Sequence, residues 1–183
     1  MTHSITKHLI FFGFILMDIA VFSQTVDQNV QQSAEDSVKY VVPNQSIANI
    51  NMLTPPEGFV VSDRFNGYVH TRMATAIMMT MIENTSYVMI EKGMTPEFFA
   101  ANQLVLIEKK DFLSDHGVKG IIYKATFVLS GRDFVRYFVY AGDLNRTLWV
   151  AVTYPKMGEE LIDSEILKSI QSITFNPTTN EQK

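Results

Sequence analysis

The sequence predicts an α+β fold, a three-layer α/β/α sandwich around a mainly antiparallel sheet, and three observations lead there. Segments 74–82, 134–140 and 148–154 are apolar on both parities: Ala76, Met78 and Ile82 alternate with Ile77, Met79 and Met81, Phe134, Phe138 and Tyr140 with Val135, Tyr137 and Val139, and Trp149 and Ala151 with Val150 and Val152. Successive side chains of a strand point to opposite faces, so strands apolar on both call for cover on both. Short Gly-containing connections, Ser130-Gly131-Arg132-Asp133 and Gly142-Asp143-Leu144-Asn145, force neighbouring strands antiparallel. Two helical regions then supply the outer layers.

Taken in order, the folded unit runs from about residue 47 to about residue 175. It opens at 50–53 and continues through Thr54-Pro55-Pro56-Glu57-Gly58-Phe59, where two prolines forbid helix and favour a short edge strand leading into a loop. Asn66-Gly67 is a turn signal that starts the strand at 68–70. After the strand at 74–82, a turn or two of helix at 86–92 ends at Gly93. Thr95-Pro96-Glu97 starts a helix: a hydroxyl caps free amides, Pro takes the first helical position and a carboxylate meets the positive dipole end. Segment 104–110 becomes polar toward its end and belongs near a sheet edge. Strands at 121–129, 134–140 and 148–154 follow. Beyond Pro155, Leu161, Ile162, Ile166, Leu167, Ile170 and Ile173 form one apolar stripe, with Glu159, Glu160, Asp163 and Lys168 on the solvated side. Residues 172–175 are expected to return to the sheet as a last short strand.

Outside this unit, residues 1–23 resemble a secretory signal: Lys7 and His8 open it, an apolar run spans 9–17, and Val21 and Ser23 stand three and one before a cut that leaves Gln24 first. Asp18 interrupts the run short of the length a membrane span needs, so no stable anchor is expected after cleavage. The expected location is periplasmic or secreted. With no cysteine anywhere, neither a lipid anchor at the cut nor a disulfide framework is possible. Residues 24–46 are a polar, Gln-rich flexible spacer and 176–183 a polar tail.

The order of segments resembles the PsbP-like family. Pro55-Pro56-Glu57-Gly58-Phe59 near the domain start, Gly117-Val118-Lys119-Gly120 before a strand, 134–142 after a tight turn, Val152-Thr153-Tyr154-Pro155 before the last helix and Ser169-Ile170-Gln171-Ser172-Ile173 closing it carry the resemblance. It implies the three-layer sandwich, and it implies binding rather than catalysis, because relatives include an extrinsic subunit of photosystem II, a nuclear-transport factor that binds a small GTPase, bacterial envelope proteins and chaperones for secreted effectors. No partner-contacting motif of those relatives carries over residue by residue.

Composition narrows the chemistry. A charged fraction of 19% beside 46% hydrophobic residues is globular. A formal charge of −4, with basic residues adjacent only at Lys109-Lys110, is no footprint for nucleic acid. His70 and His116 are the imidazoles left after cleavage, too few for a soft metal site, and no metal or cofactor is expected. Asp115-His116-Gly117 reads as a turn, His70 and Arg72 as a strand end able to touch an anion, and no nucleophile elbow or phosphate loop follows a strand. Asp163 with Glu165, and Glu159 with Glu160, read as a charged helix face balanced by Lys156 and Lys168.

Met73, Met78, Met79, Met81, Met89 and Met94 crowd one stretch; such thioethers fill cores or line adaptable grooves. Burial on both faces of the strand favours core filling; with the Thr95 helix packed loosely, the candidate partner groove is Met78, Met79, Met81, Phe98 and Phe99. The expected function is an exported non-catalytic module binding a protein or peptide. The alternatives are a carrier or chaperone sheltering an apolar segment and, last, a small hydrolase using His70 or His116.

Overall fold

The computed structural model describes residues 51–175. Contacts divide the chain into Met1–Val42 and Pro43–Lys183, and every described residue belongs to the second. The expected signal (1–23), spacer (24–46) and tail (176–183) lie outside the described residues. Along the chain come β1 (Val60–Val61), β2 (Gly67–His70), β3 (Thr75–Glu83), α1 (Tyr87–Glu91), α2 (Pro96–Ala101), β4 (Val105–Leu113), β5 (Lys119–Leu129), β6 (Arg132–Gly142), β7 (Arg146–Pro155) and α3 (Glu159–Gln171). None of the described helices is long and apolar enough to cross a membrane.

The seven strands form one sheet in the order β1-β2-β3-β7-β6-β5-β4, antiparallel at every pairing. Two meanders, β1–β3 and β4–β7, meet where β3 pairs with β7. Residues 84–104 must therefore carry the chain from the middle of the sheet to its far edge, and α1 and α2 are the pieces of that crossover. Both are capped by a hydroxyl, α2 as the sequence predicts: Thr95 Oγ1 accepts from Phe98 N at 3.3 Å, and Ser86 Oγ accepts from Met89 N at 3.4 Å at the start of α1.

Register sorts the side chains. On one face Met79 lies opposite Val150, and Val150 opposite Val139. There they join Ile77, Val135, Val152 and Leu148 under Ile162, Ile166 and Ile170 of α3, with Ile173 beyond it. On the other face Phe99 of α2 rests on Tyr123 and Phe138, with ring centroids 5.5 and 6.2 Å away.

The predicted three-layer sandwich is not what forms. The described chain is mainly a seven-stranded antiparallel sheet, 45% strand against 26% helix, and only α3 has enough turns to act as a layer. Helices of five and six residues are all the crossover provides; α1 meets β5 and β6, and α2 meets β4. Strands apolar on both faces need cover, but helices are not the only groups that can provide it. On this face large side chains pack on one another instead: Phe127 stacks on Phe134 at 5.4 Å, and the Arg136 guanidinium lies 4.8 Å over the Phe127 ring.

Smaller expectations change too. Residues 173–175 are not strand. The first edge strand is Val60–Val61, whereas Leu53 is buried beside α3. Here Thr174 N donates to Met52 O at 2.9 Å, Thr54 N to Ser172 Oγ at 2.8 Å and Ser169 Oγ to Thr54 O at 2.6 Å. Leu161, expected in the buried stripe, is 78% exposed.

Candidate functional site

A polar cluster sits where α3 crosses the sheet. Glu159 and Asp163 are one helical turn apart and share a side of α3. Beneath them, β5, β6 and β7 contribute Lys124, Tyr137 and Tyr154; Lys124 is the register partner of Tyr137, and Tyr154 follows two positions beyond that partner's neighbour on β7. Asp163 Oδ1 accepts from Tyr137 Oη at 2.8 Å and from Tyr154 Oη. Lys124 Nζ donates to the same oxygen at 3.2 Å and to Glu159 Oε1 at 2.6 Å, and it lies 5.2 Å over the Tyr137 ring.

The protonation states follow. Burial works to raise the Asp163 carboxyl, but the two phenols and Lys124 outweigh it and hold the group below its ordinary value. Burial works against the Lys124 ammonium as well, yet Glu159, Tyr137 and Asp163 carry it above the usual lysine range. Burial, then Asp163, raises Tyr154 strongly, and desolvation first among several influences pushes Tyr137 up to about 12. Asp163, Lys124, Tyr137 and Tyr154 are thereby held in their ordinary charge states near neutrality. These contacts tie α3 to three neighbouring strands, so the cluster is a clasp between helix and sheet.

The buried phenols, one in the clasp and one on the opposite face, have an alkaline signature. Unfolded tyrosines release protons near 10, while Tyr137 and the buried Tyr123, the latter raised by desolvation and by Glu91, hold theirs to about 12. Stability is therefore present in full below pH 10 and falls as pH rises from there toward about 12, by up to about 1.4 kcal/mol per pH unit for each phenol. Urea midpoints at pH 9, 10 and 11 should drop progressively; a flat series would contradict the burial of these hydroxyls.

The residues singled out from sequence are dispersed. Met79 is 1% exposed in the α3-side core, and Met81 packs against that core. Met78 alternates to the opposite face, where Phe99 is buried against Tyr123, and the half-buried Phe98 meets Phe99 edge-on. The set therefore does not line one groove. His70 is committed locally: its Nδ1 accepts from Met73 N at 3.3 Å, its ring is edge-on to Phe59, and a Cβ at Gly58 would come 2.8 Å from Nε2. Arg72 and His116 are exposed. The turn bearing His116 is organised by Ser114 Oγ, which accepts from His116 N and Val118 N. Neither imidazole pairs with a carboxylate among the described residues, and among them no three potential ligands gather for a metal ion.

Asp163 was misjudged by sequence reasoning, and Lys124, Tyr137 and Tyr154 were missed as its partners. Only Glu165 keeps the expected outward pairing, with Lys168 at 2.7 Å. The available signal was that Asp163 immediately follows Ile162 and precedes Ile166 by three, on the border of the apolar stripe.

A second feature is the flank of β4 that pairs with no other strand among the described residues. This nine-residue strand ends the sheet. Val105, Ile107 and Leu113 are 61%, 56% and 60% exposed, and the neighbouring Val128 of β5 is 64% exposed. The register slips between Leu106 and Glu108, so Ile107 is an extra residue in a bulge. Beyond it Lys110 pairs with Glu108 at 2.8 Å and Lys109 with Glu91 at 2.9 Å.

No family model matches the chain, and no curated protein matches it. Among solved structures it is similar to the crystal structure of PA94 from Pseudomonas aeruginosa, described as a protein of unknown function, with 14% identity, 57% of this chain and 74% of that chain covered and a TM-score of 0.47. A likeness at this level bears on neither activity nor partner.

Proposed function

We propose that the protein is an exported, non-catalytic binding module, periplasmic or secreted, whose partner is a protein or peptide that adds an extended segment to β4. The observation that carries this is the β4 edge, where exposed Val105 and Ile107 lie beside exposed Val128. An edge strand presents a row of outward N–H and C=O groups, which an extended peptide satisfies while its alternate side chains meet the apolar ones. The bulge, Lys109 and Lys110 discourage indiscriminate pairing along the remainder and confine the reachable stretch to the start of the strand. The apolar run at 9–17 and small residues at 21 and 23 support export. The PsbP-like sequence resemblance also favours binding over catalysis, although its three-layer architecture is absent.

The test is partner capture from the exported fraction by reversible cross-linking, followed by titration with the purified partner. Ile107→Pro removes a backbone donor at an edge bulge, where proline is tolerated. It should weaken binding at least about tenfold with an unchanged melting transition. Equal binding by Ile107→Pro and wild type, or substrate turnover by the partner-free protein, would refute the reading.

A further inference from the structure

The crossover over the second face has properties that the binding edge does not use. At its start it is fastened to the β6–β7 turn and β7, where Thr85 N donates to Asn145 O at 3.0 Å and Thr147 Oγ1 to Thr85 O at 2.7 Å, and at its end Leu104 N donates back to Phe99 O at 2.9 Å, closing α2. Asn84, just before the first of these ends, and Gln103, within the turn that Leu104 N closes, hold left-handed backbone at φ 56° and 57°, a conformation that costs a side-chain-bearing residue energy and that sets off the segment from the strands on either side. Between the ends, α1 and α2 are too short to be helical by themselves and depend on docking.

The docked surface is poorly matched in polarity. Phe99 on the crossover meets Tyr123 and Phe138 on the sheet, Met94 meets Tyr140, and these residues and Ile90 of α1 are buried. Tyr140 Oη reaches Met94 Sδ at 3.7 Å, a weak acceptor. Tyr123 is 0% exposed, and its hydroxyl finds no hydrogen-bond partner among the described residues. The nearby Glu91–Lys109 pair, with side chains 35% and 46% exposed, holds the outside of the seam by a contact that water screens.

We infer that residues 85–102 form a hood that lifts from the sheet as a unit, swinging on Asn84 and Gln103, while the rest of the domain stays folded. Opening solvates the Tyr123 hydroxyl and uncovers two facing apolar walls, Ile90, Met94 and Phe99 above and Tyr123, Phe138 and Tyr140 below. Closing restores ring-on-ring packing and strands the hydroxyl again. The orphaned donor therefore sets the balance: it weakens the closed state alone, because in the open state water satisfies it. The hood rests on residues other than the β4 edge and stands whether or not that edge binds a peptide.

Hydrogen exchange on the whole chain, read by mass spectrometry, tests this. Amides of α1 and α2 should exchange at least about a hundredfold faster than those of β6 and β7, showing opening below the global unfolding limit. Tyr123→Phe removes the stranded hydroxyl and should slow hood exchange about five- to tenfold. Tyr137→Phe, on the other face, should leave the ratio of hood to sheet exchange unchanged. Hood amides exchanging at the rate of β6 and β7 would overturn the inference, as would a Tyr123→Phe variant whose hood exchange is unchanged or faster.

Discussion

Replacing Asp163 by alanine should lower the folding free energy by about 3 kcal/mol, the largest effect of any single side chain outside the apolar core. The carboxylate oxygen receives two phenol protons and an ammonium, and hydrogen bonds to charged groups are each worth about 1.5–3 kcal/mol. The loss is less than additive, because Lys124 retains Glu159 at 2.6 Å, but Tyr154 is 0% exposed and its hydroxyl would be left inside without an acceptor. Asp163→Asn keeps an acceptor without the charge and should cost about half as much. Glu165→Ala is the contrast on the same helix: its pair with Lys168 is solvated, with side chains 51% and 72% exposed, and its removal should stay within about 0.5 kcal/mol. Urea unfolding of the three variants measures this, and a cost below about 1 kcal/mol for Asp163→Ala would reduce the cluster to an incidental contact.

The same carboxylate shapes the acid limb. Its folded value is depressed below 3.8, so its contribution is complete above the unfolded value and is lost as pH falls through the folded one. Asp163→Asn should make the stability profile shallower below pH 4 and leave it parallel to wild type at neutrality.

Gly67→Ala should be at least as damaging, by about 3–5 kcal/mol, for a wholly different reason. Gly67 starts β2 opposite Met78, with φ at 150°, and a Cβ there would stand 1.9 Å from the Ile77 carbonyl oxygen and 3.1 Å from Met78 Cα. These are backbone atoms of β3, itself locked to β7, so no side-chain rotation relieves the clash. Hydrogen exchange should show β1 and β2 losing protection while β5–β7 keep theirs, alongside a lowered urea midpoint. Gly131→Ala is the control: φ is 74°, but nothing lies within 4 Å of the added carbon, so only the left-handed strain of about 1–2 kcal/mol remains. A Gly67→Ala variant as stable as Gly131→Ala would show that β2 can shift its register freely.

Much of the fold was legible before any coordinates. Thr95-Pro96-Glu97 starts α2 with the predicted cap, and the turns at 130–131 and 143–145 lie between antiparallel strands. The 104–110 segment forms the edge strand β4. These features are written in neighbouring residues: a capping hydroxyl, a proline that presets φ, a glycine that admits positive φ, a period of two. The site was hardly legible. Asp163 in a row of helix acids looks like Glu160 or Glu165, and its inward turn depends on Lys124, Tyr137 and Tyr154, which three separate strands deliver to one spot. Met79 and Met81 fill the core, as the strand's two apolar faces favour, and the groove set fails because that same alternation sends Met78 away from them.

The sequence alone determined which stretches extend, where the chain reverses and that α3 is amphipathic, because each depends on groups within a few residues of one another. Only the tertiary structure decided that β3 would join β7, that the crossover would remain two short helices rather than a third layer, and that Asp163 would face the sheet. Those outcomes turn on encounters between distant segments, where register and aromatic packing outweigh local preference.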